Sequence, residues 1–135
     1  MKKPKEQGLR WLRAAERTLS QGGKNCSAGE YDLACFLAEQ SAQKALKAVR
    51  YADGARFVTV HSIAELVKQV SELHPEFLEL RERAVQLDQY YLSSRYPDAV
   101  AEPAIPSDIF VQKQADEALR IAEKIFAAAK KIINA

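Results

Sequence analysis

The chain has 135 residues, of which 47% are hydrophobic and 28% are charged, and its formal net charge at pH 7 is only +2. This balance is typical of an ordinary globular domain, and it excludes the disordered, collagen-like and strongly polycationic classes of protein. A chain of this length buries enough surface to fold without a metal ion or disulfide bonds. We therefore expect one domain over residues 1–135.

Cysteine and histidine are too sparse to indicate a metal site. Cys26 and Cys35 do not form a disulfide framework, and neither has the spacing of a metal ligand with His61 or His74. We expect reduced thiols, no metal and no cofactor. The first residues lack the apolar core of a secretory signal, and no apolar run is long enough to cross a bilayer. The sequence thus predicts a cytoplasmic protein with no membrane partner.

Apolar residues recur every three or four positions near the start of the chain, which predicts an amphipathic helix. We expect Gly22 and Gly23 to end it, because glycine readily adopts the left-handed conformation that closes a helix. Ser27 and Glu30 have the spacing of a capping box, so a second helix should begin there and run to about Tyr51. The predicted buried stripe of this second helix consists of Tyr31, Ala34 or Cys35, Ala38, Ala42, Ala45 and Val49.

Two further helices follow from capping and proline signals. Ser62 and Glu65 repeat the capping-box spacing at the start of a third helix. Pro75 suits the first position of a fourth helix, because the backbone amide hydrogen that proline lacks would have no partner there. Pro97 disfavours helical geometry at the residue before it, so this fourth helix should end close to Arg95.

The rest of the chain is predicted to be a long connection and a last helix. Three prolines between residues 97 and 106 indicate an extended connection. Ser107 or Asp108 should cap the last helix, which has the strongest apolar period of the sequence. The only β-rich run, residues 56–62, is short enough to be a loop. The sequence therefore predicts an all-α fold, an up-and-down antiparallel bundle of about five helices.

Polar side chains share one face of the second helix. Gln40, Lys44 and Lys47 stand at positions i, i+4 and i+7, which places an amide and two ammonium groups beside the small-residue stripe. This face could bind an anion. Lysine and glutamine are also common on helix faces that only meet solvent. Spacing alone leaves both interpretations open.

The segment QYYLSSRYPDA, residues 89–99, gathers three tyrosines around one arginine. Asp88, Tyr91 and Arg95 lie at i, i+3 and i+7, with Tyr96 immediately beyond. A guanidinium is a rigid planar fork suited to phosphate, and tyrosine rings can stack on a base or hydrogen-bond a ribose. The alternative is structural, because an ion pair of Asp88 with Arg95, surrounded by tyrosines, would use the same residues to hold the bundle together.

Three stretches together point to a known family: AEQSAQKALKAV on the second helix, HSIAELV at the start of the third and YYLSSRYPDA at the end of the fourth. In their order and spacing they resemble the HEPN domain family (higher eukaryotes and prokaryotes nucleotide-binding) over essentially the whole chain. The resemblance implies an all-α bundle that pairs as a homodimer. It also implies a partnership with a minimal nucleotidyltransferase encoded alongside.

The resemblance also assigns site residues. Gln40 and Lys44 match the Gln-x-x-x-Lys element of the second helix, His61 matches the histidine before the third, and residues 95–98 match the Arg-Tyr-Pro-Asp ending of the fourth. No residue is assigned a catalytic role. The residues that we expect to bind a nucleotide or an RNA phosphate are Gln40, Lys44, His61, Tyr91, Arg95, Tyr96 and Asp98.

One departure from the family pattern decides the expected activity. Ribonuclease members are similar in carrying a histidine a few residues after the arginine, where it moves protons while the arginine holds phosphate. Here no histidine follows His74, and a tyrosine is a poor proton shuttle at neutral pH. We therefore expect a nucleotide- or RNA-phosphate-binding module rather than an enzyme, working with the nucleotidyltransferase in a toxin–antitoxin-like pair.

Two alternatives stay open. The first is a ribonuclease toxin, which requires the fold to bring His61, at the start of the third helix, to Arg95. The second is a non-catalytic interaction subunit that positions or restrains the nucleotidyltransferase, with Tyr96 or its neighbours as targets of nucleotide transfer.

Overall fold

The computed structural model describes residues 3–135. Its α-helices are α1 (Pro4–Ser27), α2 (Tyr31–Ala52), α3 (Ile63–Ser71), α4 (Arg81–Asp88), α5 (Tyr90–Ser93), α6 (Pro106–Ile109) and α7 (Gln112–Ile133). Two 3-10 segments, Pro75–Leu80 and Pro97–Ala99, precede α4 and follow α5. Residues 3–135 contain no strand, so the predicted all-α bundle is confirmed. None of the helices in this range has both the length and the apolar character that a membrane span needs.

The three longest helices, α1, α2 and α7, pack against one another around the small-residue stripe of α2. Small side chains allow helices to approach closely. At Gly8 of α1, an added Cβ would lie 2.8 Å from Cβ of Ala52 and 2.9 Å from the backbone oxygen of Ala48. The helices α3 and α4 pack on a further side of α2. The stripe residues with no exposed surface are Ala34, Cys35, Ala38, Ala42, Ala45 and Val49.

The end of α1 differs from the sequence prediction. The helix continues through Gly22 and Gly23 to Ser27, so the glycines do not end it. Gly22 is buried, and an added Cβ there would lie 2.9 Å from Cδ2 of Leu119 on α7. Gly22 therefore lies at the contact between α1 and α7 in helical geometry, and the left-handed conformation is not used.

The predicted capping box of Ser27 and Glu30 is also wrong. The Ser27 hydroxyl donates a hydrogen bond to the backbone oxygen of Gly23 and so belongs to α1. Helix α2 begins at Tyr31, and no side-chain hydrogen bond caps it. The left-handed residue of this turn is Gly29, with φ of +80°.

Ser62 caps the start of α3 as predicted, but the reciprocal bond of a capping box, from the backbone nitrogen of Ser62 to the Glu65 side chain, is not formed. The first turn gains a second partner instead. Oγ of Ser62 accepts a hydrogen bond from the backbone nitrogen of Glu65 at 3.2 Å. The carboxylate of Asp88 accepts from Oγ of Ser62 at 2.9 Å and from the backbone nitrogens of Ile63 and Ala64 at 2.6 and 3.0 Å. Backbone amides in a first helical turn lack partners within the helix. Asp88 thus pairs them and joins α4 to α3.

The predicted fourth helix is interrupted. It begins at Pro75 as a 3-10 segment and continues as α4, which ends at Asp88, before the short α5. The hydroxyls of Ser93 and Ser94 donate to the backbone oxygens of Gln89 and Tyr90. Serine bonds of this kind compete with the helical ladder and bend helices.

The end of this region agrees with the proline signal. Helix α5 ends at Ser93, two residues before the predicted end at Arg95. Tyr96 has an extended backbone, with φ of −118° and ψ of 133°, as expected before Pro97. Arg95 therefore lies in the turn that follows the helix.

The cap expected for the last helix is wrong, because a short helix intervenes. Oδ2 of Asp108 accepts from the backbone nitrogen of Ile105 at 3.0 Å, at the start of α6. Helix α7 begins after Val111, whose backbone nitrogen donates to Oε1 of Gln114 at 2.9 Å. The long connection thus contains one turn of helix before α7.

Candidate functional site

A cavity of about 260 Å³ lies between α1, α2, the residue that precedes the Ser62 cap and the end of α5. Its lining combines cationic side chains, amides, one imidazole and two aromatic rings, and contains no carboxylate. The lining residues are Trp11, Gln40, Gln43, Lys44, Lys47, His61, Tyr91 and Arg95. The fold therefore gathers into one cavity five of the seven expected site residues, Gln40, Lys44, His61, Tyr91 and Arg95. Lys47, from the same polar face of α2, joins them.

The other two predicted site residues lie outside this lining. Tyr96 is 49% exposed, and the centroid of its ring lies 4.9 Å from Cζ of Arg95. Asp98 is exposed on the 3-10 segment Pro97–Ala99 and does not line the cavity. Tyr96 thus contacts the site through Arg95, whereas Asp98 lies on the segment that follows and contributes nothing to the lining of this cavity.

Aromatic rings surround the guanidinium of Arg95. Its Cζ lies 4.9 Å from the ring centroid of Phe36 and 4.7 Å from that of Tyr91, in addition to Tyr96. Such cation–π contacts orient an arginine without neutralising it. Nε donates to the backbone oxygen of Tyr91 at 3.0 Å, and the two terminal nitrogens form no hydrogen bond with residues 3–135. These two nitrogens are therefore free to bind an anion.

Asp88 does not form the ion pair with Arg95 that the structural alternative requires. Its carboxylate binds the first turn of α3 instead. The polar residues of the segment consequently separate into two roles, with Asp88 stabilising the bundle and Arg95 facing the cavity.

Two lysines of α2 bring further positive charge to the cavity. Nζ of Lys44 donates to Oγ1 of Thr18 on α1 at 2.8 Å, which fixes its position. Lys47 is only 7% exposed. Burial lowers the pKa of Lys47, and the nearby carboxylate of Glu39 acts in the opposite direction. The cavity thus contains one exposed cationic side chain, Arg95, and two whose positions are restricted, Lys44 and Lys47.

His61 lies between Lys47 and Tyr91. Nζ of Lys47 is 3.4 Å from Nδ1 of His61, and 5.9 Å from the ring centroid of Trp11. When the ammonium donates to Nδ1, the remaining proton of a neutral imidazole is on Nε2. The ring of His61 is 9° from parallel to that of Tyr91, with centroids 6.5 Å apart. The fold thus places this imidazole beside the ring that also contacts Arg95.

A second cavity, of about 270 Å³, is lined by His61, Ser62, Asp88 and Tyr91. His61 and Tyr91 therefore line both cavities and stand between them. Small-molecule sites commonly measure about 300–1,000 Å³. Each cavity alone falls slightly short of that range.

Glu39, which is fully buried next to the cavity, was not predicted from the sequence. Its Oε2 accepts from Nε2 of Gln40 at 2.7 Å, and its Oε1 accepts from Nε2 of Gln43. Burial raises the pKa of Glu39, and the hydrogen bonds from the two glutamines oppose that effect. A signal was present, since Glu39 follows Cys35 by four residues and precedes Ala42 by three. Helical spacing therefore places the Glu39 carboxylate on the buried face of α2.

Trp11 and Gln43 were missed as well. Trp11 precedes Ala15 by four residues and so shares the apolar face of α1, where its ring stacks on Tyr51 with centroids 5.2 Å apart. Gln43 precedes Lys47 by four residues, which places it on the polar face of α2. Both positions follow from helical spacing once the faces are known to meet.

Solved structures share this architecture. TT1696 from Thermus thermophilus is 35% identical, with a TM-score of 0.85 over 93% of this chain and 97% of that one. ST0689, described as an archaeal HEPN homologue, is 34% identical, with a TM-score of 0.76 over 98% of this chain and 99% of that one. An HEPN domain protein from Thermotoga maritima is 25% identical, with a TM-score of 0.73 over 93% and 98% of the two chains.

The sequence comparison agrees with these structures. Residues 9–132 match the HEPN domain family, which is nearly the whole chain. No curated protein matches the sequence. On the family match and the two relatives that are at least 34% identical, the protein belongs to the HEPN domain family.

Proposed function

We propose that the protein is a nucleotide- or RNA-phosphate-binding module whose anion site consists of Arg95, Lys44 and Lys47. The observation that carries this proposal is the free end of the Arg95 guanidinium in a cavity lined by three cationic side chains and no carboxylate. Guanidinium binds phosphate through two parallel hydrogen bonds, and an ammonium adds charge without a fixed direction. Membership of a family named for nucleotide binding supports the same function.

The aromatic residues supply a surface for the base. Tyr91 and Trp11 line the cavity, and Tyr96 is exposed beside the guanidinium. Stacking of a base on an aromatic ring contributes about 1–3 kcal/mol. We propose that the phosphate lies at Arg95 while the base lies against one of these rings, with Nε2 of His61 as an additional donor.

Calorimetric titration with nucleoside monophosphates tests this function. A hydrogen bond to a charged group is worth about 1.5–3 kcal/mol, so Arg95→Ala should weaken binding about tenfold or more. The thermal midpoint should change little, because Arg95 is exposed. Arg81→Ala, at an exposed arginine of α4 outside the cavity, is the matched control. Equal affinities for wild type and Arg95→Ala, or unfolding of that variant, would reject the proposed role.

One observation favours a second function, a metal-independent ribonuclease. His61 and Arg95 line the same cavity although no histidine follows Arg95 in the sequence. In this function Arg95 holds the phosphate and His61 transfers protons. Cleavage of RNA in the presence of a chelator, lost in both Arg95→Ala and His61→Ala, would establish it. If the purified wild-type protein leaves RNA uncleaved, the ribonuclease function is excluded and only the binding function remains.

We further propose that the protein acts in the cytoplasm as a homodimer, together with a minimal nucleotidyltransferase in a toxin–antitoxin-like pair. Family membership supports this partnership. Leu92 and Tyr96 are 53% and 49% exposed next to Arg95, which gives this end of the bundle an apolar surface for a partner. In the alternative form of this proposal, the protein is a non-catalytic interaction subunit and Tyr96 receives a transferred nucleotide. For the protein purified from its native host, light scattering tests the homodimer, and mass spectrometry tests for the nucleotidyltransferase and for a nucleotide on Tyr96. A monomer with no nucleotidyltransferase would contradict them.

A further inference from the structure

Two amide groups of the cavity have a fixed orientation. Gln40 and Gln43 lie one helical turn apart on α2, and each donates a hydrogen bond through Nε2 to the carboxylate of Glu39. Both carboxylate oxygens of Glu39 act as acceptors in these two bonds. Each glutamine must therefore turn its nitrogen towards Glu39 and its oxygen away from it.

The two amide oxygens have no partner within the protein. No donor among residues 3–135 reaches Oε1 of Gln40 or of Gln43. Gln43 as a whole is only 4% exposed. Among the described residues, however, the only wholly buried side-chain nitrogen or oxygen without a hydrogen bond is Nε of Arg50, so Oε1 of Gln43 is not wholly buried. Oε1 of Gln43 thus retains contact with solvent, which the cavity that it lines supplies.

The cavity consequently presents two kinds of polar group. Lys44, Lys47 and Arg95 are donors and carry charge, whereas the oxygens of Gln40 and Gln43 are acceptors. A ligand that satisfies both combines an anion with hydrogen-bond donors, and the donors that differ from one nucleotide to another are the N–H groups of the base. Among the nucleobases, guanine carries two such donors side by side, the ring N1–H and the 2-amino group. Adenine and cytosine offer a single amino group to a protein.

We propose that Gln40 and Gln43 select a nucleobase with two adjacent N–H donors, namely guanine, and that Glu39 is the positioning residue that holds both amide oxygens towards it. This inference rests on the proposed function, because the phosphate bound by Arg95 determines where the base lies. A base without donors leaves these acceptors unpaired. Sites built to hydrogen-bond a ligand group discriminate strongly against an analogue that lacks it.

GMP and IMP test the selection, because they differ only in the 2-amino group. In calorimetric titration the wild-type protein should bind GMP about tenfold more tightly than IMP. Gln40→Met keeps the length of the side chain and removes the acceptor, so the ratio of the two affinities should fall towards one. Gln40 is half-buried at the cavity, so this variant should fold.

Glu39→Gln tests the positioning role. An amide in place of the carboxylate forces one neighbouring glutamine to turn over and to present its nitrogen to the ligand, so the GMP-to-IMP ratio should fall here as well. A purely structural role would weaken both ligands equally and leave the ratio unchanged, which would overturn the role of Glu39.

The possible failures are distinguishable. Equal affinity of the wild-type protein for GMP and IMP, or an unchanged ratio in Gln40→Met, overturns the guanine selection and leaves the phosphate site standing. Failure to bind either nucleotide overturns the proposed function together with this inference. Circular dichroism shows whether Glu39→Gln folds, and if it does not, Gln40→Met alone decides the selection.

Discussion

The carboxylate of Asp88 binds the first turn of α3 and leaves Arg95, seven residues further along the chain, without an acidic partner among residues 3–135. The two residues lie close enough in sequence to pair on one side of a helix. The break between α4 and α5 and the donors at the start of α3 give them different partners. The structural role of Asp88 and the proposed ligand-binding role of Arg95 are thereby separated, which makes each of them testable alone.

Asp88→Asn should lower the free energy of unfolding by about 1–3 kcal/mol, because one accepting oxygen and the negative charge at the start of α3 are lost. Urea unfolding measures this change. Glu82→Gln, an exposed carboxylate on the same helix, should remain within about 0.5 kcal/mol of wild type. An Asp88→Asn protein as stable as the control would show that this contact does not hold α3 to α4.

Two glycines of α1 should respond in opposite directions to alanine. A Cβ at Gly8 would meet Cβ of Ala52 and the backbone oxygen of Ala48 at under 3 Å, so Gly8→Ala should cost about 1–3 kcal/mol. Nothing lies within 4 Å of a Cβ at Gly23, so Gly23→Ala should stabilise the helix by about 0.5–1 kcal/mol. Thermal unfolding measures both, and shifts of the same sign would contradict the packing described for Gly8.

The stability of the wild-type protein should carry a pH dependence from Glu39. Burial raises the pKa of Glu39 above its ordinary value, so the folded state retains a proton that the unfolded chain releases first as pH rises. The free energy of unfolding therefore falls between the lower pKa of the unfolded chain and the higher pKa of the folded protein. Glu39→Gln lacks this ionisation. The stability of wild type relative to Glu39→Gln should thus decline from about pH 4 upward; urea unfolding at several pH values would refute this if the difference stayed constant.

The contact between Lys47 and His61 should determine the tautomer of the imidazole. In the neutral imidazole, long-range proton–nitrogen NMR should show the His61 proton on Nε2. Lys47→Met should allow the Nδ1 tautomer to appear. His74, which donates through Nε2 to Asp53, serves as the internal control and should not change. An unaltered His61 in Lys47→Met would mean that the lysine does not set the tautomer.

The sequence predicts the features of this fold that depend on neighbours along the chain. The Ser62 cap of α3, the non-helical backbone of Tyr96 before Pro97 and the buried stripe of α2 from Ala34 to Val49 are confirmed, whereas Tyr31 is only half-buried. Gly22 shows the limit of such reasoning. Its role depends on Leu119 of α7, which no local pattern reveals, so the same residue type that ends many helices here permits close packing.

The candidate site, too, is predictable from the sequence only where its residues are neighbours along the chain. Helical spacing brings Gln40 and Lys44 to one face, and the Arg95 segment is visible as a cluster of unusual residues. That Asp88 would bind α3, and that His61 would reach the cavity of Arg95, depends on how the helices cross. Spacing within one helix carries no information about such contacts.

The salt dependence of binding to a short single-stranded RNA tests the role of Arg95 most directly. Each phosphate contact made by a cationic side chain contributes about 0.7 to the slope of log K against log salt concentration for single strands. Arg95→Ala should reduce the magnitude of the slope by about that amount, whereas Arg81→Ala should reproduce the wild-type slope. Identical slopes for wild type and Arg95→Ala would contradict the claim that this guanidinium holds a phosphate.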